Sequence, residues 1–185
     1  MLQRVSFYRS RKLSLSSRPL ATRVLLLHPP LRARALCREF VTRYARDHSL
    51  DTQARTEMLR ATLADAETTH RFFVTLVGRV FRESDITREQ SAWRVLLVDD
   101  HDRTEAPSEI VHLARPTADD RTYFPSVTPY RQVFRIAFPA HHADGTPTIP
   151  PGSTKLILRL TGAQGRADLE WVLDAGGASG GPSRR

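Results

Sequence analysis

The spacing of apolar residues changes at His70, and this change limits the folds that the chain can adopt. Before His70, apolar residues recur every three to four positions, which is the period of an amphipathic helix. After His70, apolar and polar residues alternate, which is the period of a strand with one buried face. Helices followed by closely spaced strands favour antiparallel pairing over a doubly wound parallel sheet.

Two amphipathic helices are predicted between residues 30 and 70. In residues 31–50, Leu36, Phe40 and Tyr44 are four apart and form one apolar stripe. The second helix covers residues 51–70, with Asp51 as its expected N-cap. Its stripe consists of Met58, Leu59, Leu63 and Ala66.

Seven segments have the pattern of strands: residues 20–27, 71–78, 91–99, 109–115, 131–139, 154–162 and 167–174. The expected fold is α+β, with an N-terminal strand and two helices packed on an antiparallel, immunoglobulin-like β-sandwich. We expect one domain over residues 20–175, with helices at about 30–70 and the sandwich at about 71–175. Residues 1–19 are predicted to be a basic, disordered arm, and residues 176–185 a flexible Gly/Ser tail.

The positive charge of the chain is concentrated at its start. Residues 1–38 hold nine of the 28 basic residues and none of the 20 acidic ones, so residues 39–185 carry 19 basic and 20 acidic residues. A nearly neutral body does not favour nucleic-acid binding, which needs a positive face. The arm itself could bind nucleic acid or anionic lipid. Residues 1–28 are also rich in Arg and Ser, a composition typical of an organellar transit peptide.

Four consecutive residues between two predicted strands, Asp99, Asp100, His101 and Asp102, have side chains that can bind a metal ion or transfer a proton. Aspartates are favoured in turns because their side chains bond the backbone two residues on. A calcium loop needs a glycine at its bend, which this segment lacks, and a zinc site needs further ligands from elsewhere. The sequence therefore favours a turn over a metal site.

Other candidate residues have ordinary structural interpretations. His141 and His142 lie in a long polar connection and are adjacent, which makes shared metal coordination unfavourable. His70 is interpreted as the last residue of the second helix, where a cation meets the favourable end of the dipole. Cys37, the single cysteine, is interpreted as a half-buried helix residue.

No established catalytic motif occurs in the chain. Gly162 and Gly165 fit a hairpin connection, and Trp93 and Trp171 fit core positions in alternating strands. There is no nucleophile elbow, HExxH, Walker-type loop or paired CxxC. We assign no catalytic, cofactor-binding or metal-ligating residue, and we predict no cofactor.

Several short segments together resemble a group of uncharacterised bacterial proteins that are described as lipoproteins. They are the helical part (31–50), FFVTLV (72–77), WRVLLVDD (93–100) with Pro107, YFP (123–125), YRQVFRIAFP (130–139), DGTP (144–147), PPG (150–152) and LILRLTGAQG with LEW (156–171). The resemblance covers about residues 20–174. It implies helices on an antiparallel sandwich, exported and anchored in the envelope, without an assigned activity. The chain departs from the group by lacking an apolar signal and a lipobox. Either it is not exported or its true start lies upstream of Met1, and we expect the second.

Three functions follow as hypotheses. The favoured one is a non-enzymatic, envelope-associated interaction module that binds a protein partner through its loops or a sheet edge. In this case the chain binds no nucleic acid, and it associates with a membrane only through a lipid anchor, if the true start lies upstream of Met1. The second is a metal-assisted enzyme that uses the 99–102 and 141–142 loops, which requires those loops to meet. The third is nucleic-acid or anionic-lipid binding through the basic arm.

Overall fold

The structure, a computed structural model, describes residues 21–26, 33–77, 84–163 and 165–173. The predicted arm at 1–19 and tail at 176–185 lie outside these residues. The elements in chain order are β1 (Ala21–Leu26), α1 (Ala33–Asp47), α2 (Thr52–Thr68), β2 (Thr69–Val77), β3 (Trp93–Val98), β4 (Thr104–Glu105), β5 (Glu109–His112), α3 (Ala118–Tyr123), β6 (Gln132–Pro139), β7 (Lys155–Gly162) and β8 (Gly165–Val172). The chain is thus an α+β protein, as the change of period predicts.

The strands form two four-stranded sheets, and every pairing in them is antiparallel. The first sheet has the order β1-β2-β6-β5, and the second has the order β4-β3-β7-β8. All seven predicted strands are confirmed, including the N-terminal one, which pairs with β2 along its whole length. Antiparallel pairing follows from the alternation, since one face of each strand is buried.

The inner faces of the two sheets share one hydrophobic core. Alternate residues of β2 and β6 meet alternate residues of β3, β7 and β8, and both tryptophans, Trp93 and Trp171, are buried there. Trp171 contacts Phe72 of the first sheet with ring centroids 5.6 Å apart. The assignment of the tryptophans to the core is therefore confirmed.

Helices cover the outer face of the first sheet. Phe40 and Tyr44 of α1 pack against Tyr123 of α3 and against Phe73 and Val133 of the sheet. Residues of β2 are consequently buried on both faces, which explains its nearly continuous apolar sequence, RFFVTLV. The predicted packing of the first helix on the sheets is confirmed.

The second helix lies on the first and is more exposed than its stripe predicts. Asp51 is its N-cap and accepts a hydrogen bond from the backbone N–H of Ala54 at 2.7 Å, as expected. Arg55 reaches α1, where it donates to the Thr42 hydroxyl at 3.0 Å. No residue of α2 is fully buried. No helix within the described ranges is long and apolar enough to cross a membrane.

Two expectations need correction, and two short elements are additional. His70 does not end α2, because the helix passes directly into β2 at Thr69 and His70 is a buried strand residue opposite Phe138. Cys37 is fully buried in α1 and not half-buried; burial, with a smaller contribution from Asp65, raises the pKa of its thiol to about 11. The short elements α3 and β4 were not predicted.

Candidate functional site

The segment at residues 99–102 is a tight turn joining β3 to β4. Asp99 is buried, and its Oδ1 accepts hydrogen bonds from the backbone N–H groups of His101 at 2.9 Å and Arg103 at 2.8 Å. Asp102 completes the turn with a positive φ of 58°, a conformation that aspartate tolerates better than most residues. The predicted turn is confirmed, although its second strand is the short β4.

Asp100 joins this turn by a hydrogen bond to Thr154, the residue before β7. Its Oδ2 accepts from the backbone N–H of Thr154 at 2.9 Å. That hydrogen bond is the largest influence on the carboxyl group and holds the pKa of Asp100 below its ordinary value. His101 is exposed, with its Nε2 3.9 Å from Asp100 Oδ1. The side chains of Asp99 and Asp100 therefore bond the backbone, which is a structural role.

The connection after β6 folds back on itself and positions the two adjacent histidines differently. His141 is exposed and forms a β-bridge with Pro147, whereas His142 is half-buried and its Nδ1 hydrogen-bonds Glu105. The backbone turns at Gly145, whose φ is 80°. The two histidines thus point to different surroundings, as their adjacency predicts.

The two loops lie side by side. Besides the contact between Glu105 and His142, Arg103 Nη2 lies 3.5 Å from Asp144 Oδ2 and 3.3 Å from the Thr146 hydroxyl. The enzyme hypothesis required this proximity. However, the part of the chain that the structure describes contains no group of three or more His, Cys, Asp or Glu side chains positioned to hold a metal ion.

A histidine whose ring is oriented by a carboxylate, as His142 is by Glu105, can act as a general base, but the surroundings of this pair do not suit that role. A general base must reach the proton that it removes. Nδ1 of His142 is bonded to Glu105, and Nε2 is buried without a hydrogen-bond partner among the residues that the structure describes. Since neither nitrogen is open to solvent, the pair joins two loops and is not placed to accept a proton from a substrate.

A substitution at Asp99 tests whether this residue holds a turn or belongs to a metal site. We expect Asp99→Ala to lower the free energy of unfolding by about 1–2 kcal/mol, because two backbone N–H groups lose a charged acceptor. His101→Ala is the matched control, with an expected change within about 0.5 kcal/mol because its side chain is exposed. Urea denaturation measures both variants. Equal losses in the two would contradict a turn held by Asp99.

A second candidate site is the edge of the second sheet formed by β8, whose outer side pairs with no strand among the residues that the structure describes. Sequence patterns did not identify it, and it is called the free edge below. β8 pairs with β7 over eight consecutive rungs without a bulge. Leu173, one rung beyond them, donates its N–H to Thr154 at 2.7 Å. Because backbone bonding alternates along an antiparallel pair, Ala167, Leu169 and Trp171 face β7. The N–H and C=O groups of the even-numbered residues, Arg166, Asp168 and Glu170, therefore face the free side.

Along the outer face of this edge lies a cluster of charged side chains. Arg159 of β7 forms a bidentate pair with Asp168, at 2.9 and 3.1 Å, and Arg166 also bonds the same carboxylate. Burial alone would raise the pKa of Asp168, but the hydrogen bonds from Arg166 and Arg159 together lower it. Glu170 forms no ion pair with any residue that the structure describes.

The same edge has few of the features that prevent strand pairing. Proteins protect exposed edges with short strands, prolines, bulges and charged side chains, especially lysines and charges that point inward. At the other edge of the second sheet, β4 has only two residues. The eight residues of β8 include no proline, no lysine and no bulge. Its charged residues, Arg166, Asp168 and Glu170, lie on the outer face and not on the inward one, and Asp168 is bonded by arginines. β8 is accordingly an edge on which another strand can add.

Comparison with known proteins adds no family to these observations: no family model matches the chain, and no similar curated protein or solved structure is found.

Proposed function

We propose that the chain is a non-enzymatic interaction module, built on an immunoglobulin-like sandwich, that binds a protein strand at the free edge of β8. The strand orders support the sandwich. If the eight strands are lettered A, B, C, C′, D, E, F and G in chain order, the sheets are A-B-E-D and C′-C-F-G. Immunoglobulin-like domains have A-B-E-D on one sheet and C-F-G on the other.

The observation that carries the binding proposal is the unprotected backbone of β8. Three consecutive even-numbered residues present donors and acceptors outward, and β8 pairs with β7 over eight consecutive rungs without a bulge. An extended segment that adds to a sheet edge gains its affinity from main-chain hydrogen bonds and its specificity from alternate side chains. The occupant that fits β8 is therefore a protein segment in extended conformation.

The remaining parts of the functional hypothesis rest on the sequence. The envelope location and the lipid anchor are proposed from the resemblance to bacterial lipoproteins. The loops at 99–105 and 140–147 support the non-enzymatic proposal, since their polar side chains bond one another and the backbone.

Site-specific photo-crosslinking tests the proposal in the full chain. A photoreactive amino acid replaces Glu170 at the edge or, as a control, Arg94, which is exposed on the central strand β3 of the same sheet. In cells that produce the protein naturally, we expect an adduct at position 170 and none at position 94. Peptide mapping should join position 170 to an extended segment of the bound protein.

An edge-blocking variant makes the result specific. Arg166→Pro removes an N–H that faces the free side, so β8 should still pair with β7 and the melting temperature should stay near that of the unaltered chain. The adduct at position 170 should disappear in this background. The proposal fails if position 170 gives no adduct, or if the adduct persists when proline blocks the edge of a folded protein.

A further inference from the structure

The sequence of β8 identifies one strand that fits its free edge, namely β8 itself. Resting on the proposed function, we infer that two copies of the chain associate through antiparallel pairing of their β8 strands. The two-fold axis passes through the Asp168 pair. The two second sheets then form one continuous eight-stranded sheet.

Backbone geometry permits this register. In a symmetric antiparallel pair centred on Asp168, Asp168 of one copy faces Asp168 of the other. Arg166 of each copy then faces Glu170 of the other. The residues that exchange hydrogen bonds between the two copies are the even-numbered ones, Arg166, Asp168 and Glu170. These are the residues whose N–H and C=O groups face the free side.

On the inner face, each rung joins a large residue to a small one. Trp171 of one copy faces Gly165 of the other, and Leu169 faces Ala167. The side chains of Trp171, Leu169 and Ala167 are buried in the core of their own chain. A small residue opposite each large one leaves the position of the large side chain undisturbed. Complementary sizes across a pair are the condition for close packing of adjoining strands.

On the outer face, the charges are complementary. Arg166 of each copy lies opposite Glu170 of the other, and Glu170 has no ion pair within the described part of its own chain. The central Asp168 carboxylates are each neutralised by Arg159 and Arg166. Opposite charges across a rung stabilise the pairing, and like charges destabilise it.

Neighbouring registers are less favourable. Moving the second copy by one rung pair in one direction places Asp168 opposite Glu170 on two rungs and removes both rungs that join Arg166 to Glu170. The register centred on Asp168 has one rung of like charges, and each of its two carboxylates is bonded by Arg159 and Arg166 of its own chain. Moving the second copy in the other direction places Glu170 and Trp171 beyond the start of the facing strand. The register centred on Asp168 pairs residues 165–171 throughout.

Charge-reversal variants test the register. Glu170→Arg places arginine opposite Arg166, and Arg166→Glu places glutamate opposite Glu170, so each variant alone should dimerise at least about tenfold more weakly than the unaltered chain. Mixed together, the two should form a heterodimer, because arginines of one chain face glutamates of the other. Arg94→Glu, the same change on β3, should dimerise normally. Sedimentation equilibrium measures all four proteins.

The outcomes separate the inference from the function on which it rests. A dimer of the unaltered chain, weak self-association of both variants and recovery on mixing support the register. The inference is overturned if the unaltered chain is a monomer over about a hundredfold range of concentration, or if the mixture does not recover. An adduct between position 170 and a different protein would then still support an edge-binding module, whereas no adduct of any kind would overturn both proposals.

Discussion

Phe134→Ala is expected to lower the free energy of unfolding by about 3–5 kcal/mol, the usual cost of removing a buried aromatic ring. Phe134 is a fully buried residue of β6. It lies opposite Val74 of β2 on one side and opposite His112 of β5 on the other. Its ring stacks on the His112 imidazole at 5.0 Å and belongs to the core shared by the two sheets. The cavity left by alanine therefore lies between the sheets, where neither can collapse without moving a strand.

Tyr130→Ala provides the matched control, because it removes an aromatic ring from the same part of the chain. Tyr130 is 82% exposed, and its truncation should change stability by no more than about 0.5 kcal/mol. Urea denaturation, with tryptophan fluorescence as the signal, measures both variants. If Phe134→Ala cost as little as Tyr130→Ala, the two sheets would not share a core.

Strand positions could be predicted from the sequence because the signal is local. In β6, Phe134, Ile136 and Phe138 alternate with other residues, and these three side chains are the ones buried between the sheets. The N-cap at Asp51 and the turn at Asp99 were predictable for the same reason. In both cases one side chain bonds backbone groups two to four residues further along.

The elements that were missed have weak local signals. β4 has two residues and exists because β3 offers it a partner. α3 has six mostly polar residues and begins with a capping box, in which the Thr117 hydroxyl and the Asp120 side chain each bond the other's backbone N–H. At His70 the error has a different cause, since no turn residue separates α2 from β2.

The candidate sites depend on contacts between distant residues, which sequence patterns do not supply. Sequence patterns do not link Glu105 to His142, because 37 residues separate them. That β8 lies at a sheet edge follows from the order of strands in the sheet, and alternation is the same in edge and central strands. The complementary charges of Arg166 and Glu170 acquire meaning only once that edge is known.

Gly162→Ala is expected to lower the free energy of unfolding by about 3 kcal/mol or more, because there is no room for a methyl group at this position. Gly162 ends β7 and pairs with Trp93 on one side and Gly165 on the other. A Cβ at Gly162 would lie 1.7 Å from the backbone oxygen of Ala92 and 3.2 Å from the Cα of Trp93. Since the obstruction is backbone, β3 and β7 would have to separate where they pair.

Gly145→Ala separates this steric effect from the general cost of replacing a glycine. Gly145 has a φ of 80°, and an added Cβ would have no atom of the described residues within 4 Å, so alanine there meets only backbone strain, worth about 1 kcal/mol. Thermal and urea denaturation of both variants give the comparison. If the two cost the same, β3 does not approach Gly162 this closely. A loss at Gly162 at least about twice that at Gly145 would show that a missing side chain allows the central strands of the second sheet to meet.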